Sequence, residues 1–195
     1  MKAICYFDRK LSPQRIYGTI QFSQSNPSSV VQIDIDIKNF KKNKTHAIHI
    51  HEFGNLTDGC HSTGTHFNPE NHVHGLFHKK HHAGDIMSNL QTDSKNGSVH
   101  AKFFDSQISL FPGKCCVIGR SVVIHEYPDD LGNSAIYDDW KYKELKKFAV
   151  QRGYIKKNQN KSHSELLEKI KKESLLTGNA GGRMTCAIIG IDDDK

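Results

Sequence analysis

The chain has 195 residues, 36% hydrophobic and 25% charged, with a formal net charge of +6 at pH 7. That is the composition of one soluble globular domain, or a domain with an appendage, large enough to bury a core. No apolar run approaches the roughly 20 residues of a membrane span, and MKAICYFDRK has no long apolar region before a small-residue cleavage site, so a cytoplasmic protein is expected.

Ile4 to Tyr6 begins the first strand, and Arg15 to Phe22 alternates next. Val31, Ile33, Ile35 and Ile37 then alternate with Gln32, Asp34, Asp36 and Lys38, the period-two pattern of a strand with one face inward. In the following strand His49 and His51, two residues apart, share a face, and Ile48 and Ile50 turn to the core. Ile86 to Thr92 reads as another strand, and Asn96-Gly97 predicts a hairpin turn to Val99, Ala101 and Phe103. Val117 to His125 and Met184 to Ile191 complete about eight strands. Short strands bounded by turn signals predict an all-β antiparallel sandwich or barrel.

Two long loops interrupt this pattern. The first, His51 to Asp85, is unusually long for a compact domain, and long ordered loops are usually functional. The second, at about 133–176, holds ten lysines and one arginine against six acids, so it carries +5 of the total charge. Within it, Asp138 to Arg152 predicts a helix with Trp140, Leu145, Phe148 and Ala149 on one side, closed by Gly153. Ser162-x-x-Glu165 is a capping box for a second helix with Leu166, Leu167 and Ile170 inward. The alternative is a basic excursion with little fixed structure.

Ten of the thirteen histidines fall between His46 and Asp85: His46, His49, His51, His61, His66, His72, His74, His78, His81 and His82. Neutral imidazole is the commonest side-chain metal ligand near physiological pH, so a metal site is the first expectation. A solvated His-rich loop without fixed geometry is the competing reading. Of the five cysteines, Cys5, Cys115 and Cys116 read as small buried apolar residues.

The segments HIHEFGN, GCHSTGTHFNP, HG, HAGD, IGRSVVIHE, DDLG and TGNAGGRMTCAIIGI, with the amino-terminal KAICYF, resemble the copper-zinc superoxide dismutases in family order over nearly the whole chain. Only the region between Gly132 and Thr177 lacks a counterpart of similar length. The resemblance implies one 1–195 domain, an eight-stranded Greek-key barrel or sandwich with two functional loops, the second enlarged. It implies copper held by His49, His51, His66 and His125, and zinc held by His66, His74, His82 and Asp85, with His66 bridging. These donor types suit the two metals. Asp129 matches the carboxylate that links a copper histidine to a zinc histidine. Arg183 matches the arginine that holds superoxide beside copper, His66 the ring that releases copper and takes a proton, and Cys60 with Cys186 the intrasubunit disulfide. A homodimer through the carboxy-terminal strand and the Gly54 and Ile118 regions is implied, with a copper chaperone as a possible partner.

Two departures stand out. From His74 to His82 the chain is one residue shorter than the common family form, which leaves His72, His78 and His81 as rival zinc ligands; Gly75 after His74, and Gly84-Asp85 after His82, favour the set given. Leu176 replaces the family's guiding lysine before Thr177, while Glu173 keeps a family-like acid. The implied function is disproportionation of superoxide to dioxygen and hydrogen peroxide. A dismutase-like copper chaperone is the alternative; such proteins often lack a full copper set and carry Cys-based motifs, whereas here the only adjacent thiols are Cys115-Cys116. A metal store or nucleic-acid binder using the basic loop is a third and weaker reading. Because no assigned ligand lies in 133–176, that segment is expected to be dispensable for metal binding and to matter for rate.

Overall fold

Alternating apolar residues build two antiparallel sheets over a shared core. The computed structural model describes residues 1–76 and 78–193. Its strands are β1 (Lys2–Phe7), β2 (Tyr17–Ser23), β3 (Val31–Lys38), β4 (Thr45–His51), β5 (Thr57–Cys60), β6 (Ser88–Gln91), β7 (Val99–Asp105), β8 (Ser121–His125), β9 (Arg183–Ile188) and β10 (Gly190–Ile191). One sheet runs β10-β1-β2-β3-β7 and the other β6-β4-β8-β9. The chain crosses from β3 to β4, returns for β7 and crosses again for β8, as in Greek-key sandwiches. Val31, Ile33, Ile35 and Ile37 of β3, Ile48 and Ile50 of β4, and Val122 and Ile124 of β8 all enter one buried cluster. The short β5 is additional to the expected eight, and the expected Met184–Ile191 strand is split into β9 and β10, which lie in different sheets.

The expected hairpin is corrected. Asn96-Gly97 does not close a hairpin, because β6 pairs with β4 and β7 pairs with β3. Asp93 Oδ1 accepts the backbone N–H groups of Lys95, Asn96 and Gly97 at 2.9, 2.8 and 3.0 Å, and Phe40 N–H donates to Gly97 O at 3.0 Å. The turn is wrapped around a carboxylate and docked on the sandwich, so its two arms diverge into different sheets. Cys5 is buried as expected, but Cys115 and Cys116 are only half-buried.

The basic segment forms two helices, α1 (Tyr142–Gln151) and α2 (His163–Thr177). The expected helix start at Asp138 is corrected: a 3-10 turn, Ser134–Tyr137, ends just before it, residues 138–141 are not helical, and α1 starts only where Glu144 accepts the Lys141 N–H at 2.8 Å. The capping box at α2 forms as read, with Ser162 Oγ accepting from Glu165 N–H at 3.2 Å and Glu165 Oε2 from Ser162 N–H at 2.8 Å. Tyr137, Leu145, Ala149, Ile155, Leu166 and Ile170 make a second small core, with Trp140, Phe148 and Leu167 packed on it. Apolar helix faces that bury against each other supply the order that a solvated excursion lacks.

Candidate metal centre

The site begins on the face of β4 that turns away from the core. His49 and His51 project there, opposite Val123 and Ser121 of β8. At the end of β8 the pairing with β9 slips: Ile124 faces Thr185 but His125 faces Arg183, leaving Met184 extra. Such a bulge re-aims side chains, and here His125 and Arg183 become cross-strand neighbours.

The long loop is stitched back onto β4. Phe67 N–H donates to Ile50 O at 2.8 Å, Ile50 N–H to Gly84 O at 2.9 Å and Gly84 N–H to Phe67 O at 2.8 Å. This ladder brings His66 beside His51 and carries His82 and Asp85 to the same place. Gly75 sits at φ +104, and a Cβ there would overlap the Leu131 carbonyl. The absent side chain lets the His74 segment lie against residues 131–132.

Two groups of donors result. Ligand atoms of His49, His51, His66 and His125 all lie within 4.8 Å of one another. His51 Nδ1 lies 3.1 Å from Gly64 O, His125 Nδ1 3.3 Å from Gly181 O, and His49 Nε2 2.6 Å from Asp129 Oδ2. Each ring donates N–H there, which leaves His51 Nε2, His125 Nε2 and His49 Nδ1 as lone pairs facing inward. His49 Nδ1 and His66 Nε2 are buried without a hydrogen-bond partner. In the second group Asp85 Oδ1 faces His66, His74 and His82 Nδ1 at 3.1, 3.0 and 3.4 Å. His74 Nδ1 and His82 Nδ1 also lack a hydrogen bond despite these separations. A buried polar atom left unpaired costs about 1–3 kcal/mol. Four such nitrogens converging in two pockets fit bound cations.

The family profile for copper/zinc superoxide dismutase (SODC) matches residues 16–150. The copper-zinc superoxide dismutase of Paramecium bursaria Chlorella virus 1 is 38% identical over 176 residues, 90% of this chain and 73% of the viral protein. That of Schizosaccharomyces pombe is 36% identical over 91% of both chains. This chain belongs to the copper/zinc superoxide dismutase family. A solved structure, that of the clock protein EA4, aligns with a TM-score of 0.71 at 32% identity over 98% of this chain and 94% of that one.

The two halves of this family member's site differ electrically. Burial, and then the neighbouring imidazoles, push His51 and His125 well below the ordinary histidine value. His66 is pushed down to about 3, by burial first and by His49 next, against the pull of Asp85. Neutral rings with free lone pairs are what a copper ion needs. On the other side burial also opposes charge on His74, but the Asp129 and Asp85 carboxylates beside the ring outweigh it and raise the ring to about 10. Asp85 and Asp129 are held below the usual carboxylate range by their imidazole partners, against their own burial. This half therefore favours positive charge.

The rival histidines are placed elsewhere. His72 Nδ1 meets His81 O at 3.2 Å, His78 Nε2 meets Gly132 O at 3.1 Å, and the His81 ring meets Gln107 Nε2 at 2.9 Å. By distance alone His49 could join His66, His74 and Asp85. Its Nε2 is taken by Asp129, however, and its Nδ1 faces the first group, so His82 is the better fourth donor.

Arg183 Nη1 donates to Cys60 O at 2.6 Å and Thr63 Oγ1 at 2.9 Å, and Nη2 donates to Gly64 O at 2.6 Å. Cys60 and Cys186 are joined by a disulfide. Sequence reasoning missed the carbonyls of Gly64 and Gly181 that fix two ring orientations. It also missed Asn89, which brackets Asp129 by exchanging two hydrogen bonds of 2.9 Å with its backbone. Among the described residues no helix is long and apolar enough to cross a membrane.

Proposed function

We propose that this chain disproportionates superoxide, with copper held by His49, His51, His66 and His125 and zinc by His66, His74, His82 and Asp85. The observation that carries the reading is the single ring of His66 between two donor groups, Nδ1 toward Asp85 and Nε2 toward the copper-side imidazoles. Copper held there would supply the one-electron chemistry by which one superoxide becomes dioxygen and a second, with two protons, becomes hydrogen peroxide. His66 holds and returns a proton at Nε2 while Nδ1 stays on the zinc side. Asp129 fixes the His49 and His74 rings by bonding both, and such outer partners set tautomer and basicity. Arg183 places a fixed positive charge beside His125 to hold each anion. Metal analysis and a superoxide-decay assay on one purified sample test this: one copper and one zinc per chain with metal-dependent activity are expected. Metal without activity favours the chaperone reading.

Leu176 stands where the family has a guiding lysine and is half exposed. Steering then falls to the basic segment, which carries Lys143 and Lys147 on α1 and Lys157 in the link to α2, all on exposed positions. Changing these three to Gln is expected to lower kcat/KM most at low salt. The gap should close as the screening length falls from about 30 Å at 0.01 M to about 10 Å at 0.1 M. An equal rate at every ionic strength would remove the steering role.

A homodimer is the proposed assembly. Phe53 and Ile188 are exposed apolar side chains at 52% and 41%, beside a cleft lined by Gly54, Ile118 and Gly119. A second copy of the chain covers this face, and sedimentation should find twice the 22.0 kDa chain mass.

A further inference from the structure

The helical pair is tied to the metal centre through the Asp129-Asp130 pair and His74. Asp130, next to Asp129, is the point of attachment. Its Oδ2 accepts from Tyr137 Oη at 2.8 Å and Asn179 Nδ2 at 2.7 Å, and its Oδ1 from Ser174 Oγ at 2.9 Å and Gly132 N–H at 3.0 Å. Asn179 is the second point. Tyr154 Oη donates to its Oδ1 at 2.6 Å and Arg152 Nε to its backbone O at 2.6 Å, while its Nδ2 also lies 3.1 Å from Ile170 O. Arg152 in turn lies over the Tyr127 ring at 3.9 Å. The third point is a zinc-side histidine itself: His74 N–H donates to Leu175 O at 3.0 Å.

Tyr137, Tyr154, Ser174, Arg152 and the carbonyls of Ile170 and Leu175 all come from the inserted segment. Tyr137, Ser174 and Asn179 are 2%, 0% and 1% exposed, so water does not compete for their bonds. A satisfied buried polar network acts as a unit and holds one geometry. Gly178 lies inside it: at φ +63, a Cβ there would overlap Asp129 Oδ1 and press on His74 Nε2. Gly178 O also accepts the Asp130 N–H at 2.9 Å. The end of α2, the Asp129-Asp130 pair and the His74 ring thus form one packed unit.

We propose that the α1–α2 pair is a brace for zinc retention, in which Tyr137 and Ser174 are positioning residues that act through Asp130 on Asp129 and His74. The proposal rests on the zinc assignment above. It also changes the expectation for the insertion: a segment with no ligand of its own controls how long a ligand set stays closed. Deleting 133–176 removes six side-chain or carbonyl partners of Asp130, Asn179 and His74 together, and so speeds zinc loss.

The test uses the metal-loaded protein. Tyr137→Phe removes one hydroxyl and leaves the ring packed against Trp140 and Phe148; Tyr137→Phe with Ser174→Ala removes both insertion donors to Asp130. Zinc release into a colorimetric chelator is timed, and cobalt(II) placed in the zinc site reports ligand geometry by its visible spectrum. The double variant should release zinc about ten-fold faster, the lower end of the effect of partners bonded directly to ligands. Its cobalt spectrum should shift, its copper content should stay, and Glu168→Ala, on an exposed position of α2, should behave as the parent. Unchanged release overturns the brace, as does faster release with an unshifted cobalt spectrum, since the hydroxyls would then gate opening without positioning anything. If the double variant fails to fold, the Tyr137→Phe protein decides by the same two readouts. A parent protein that binds no zinc refutes the metal assignment instead, and that failure is separate.

Discussion

Replacing His125 by Ala is expected to abolish superoxide dismutation while zinc stays bound. The ring is 4% exposed, and its Nε2 lies 3.3 Å from His51 Nε2, at the centre of the all-imidazole group. None of its contacts reaches Asp85, and the zinc-side nitrogens are held by the loop ladder on β4, which the substitution does not touch. Loss of a partner bonded to a ligand already costs about 10–100-fold in metal affinity; loss of the ligand itself costs more, so copper occupancy and activity should both fall to background. Metal analysis beside the decay assay reads both. The mirror experiment is His74→Ala, which removes a ring whose Nδ1 faces Asp85 and whose Nε2 faces Asp129, and should empty the zinc side first. Full activity in the His125 variant sinks the copper assignment, and simultaneous loss of both metals sinks the separation of the two groups.

How far the chain could be read follows from what each feature depends on. His49 and His51 are legible because a strand puts alternate residues on one face, and the same rule places Ile48 and Ile50 in the core. The choice of His74 and His82 over His72, His78 and His81 is not legible in spacing. It depends on where the loop backbone docks, through Gly75 on Leu131 and Gly84 on Ile50 and Phe67, and only family resemblance anticipates it. Asn96-Gly97 misleads because a turn signal states that the chain reverses, not which sheet receives the next strand. The helices were visible in their apolar spacing and capping box. Their attachment was not: Asp130 gathers donors from residues 132, 137, 174 and 179, and no local pattern joins those positions.

Breaking the Cys60–Cys186 bond is expected to have the largest effect on stability. The bond spans 126 residues of chain. Chain-entropy reasoning gives about 5 kcal/mol for a closed loop of that size, and removing native disulfides from small domains typically costs about 2–5 kcal/mol. Cys186→Ser should therefore lower the unfolding free energy by about 2–5 kcal/mol, read from urea midpoints at constant slope. A second effect follows from geometry. Cys60 O is an acceptor for the Arg183 guanidinium, and Thr63 and Gly64, a few residues on, supply two more. Arg183 stands three residues before Cys186 on β9, so the bond ties the arginine's strand to the loop that holds its side chain. Loosening that loop frees the guanidinium to swing away from His125, and kcat/KM should drop while copper and zinc contents hold at neutral pH. The drop should be smaller than that of Arg183→Ala, which deletes the charge outright, and combining the two substitutions should cost little more than Arg183→Ala alone. Additive losses would mean that the disulfide acts elsewhere than through Arg183, and two free thiols in the active parent protein would refute the bond itself.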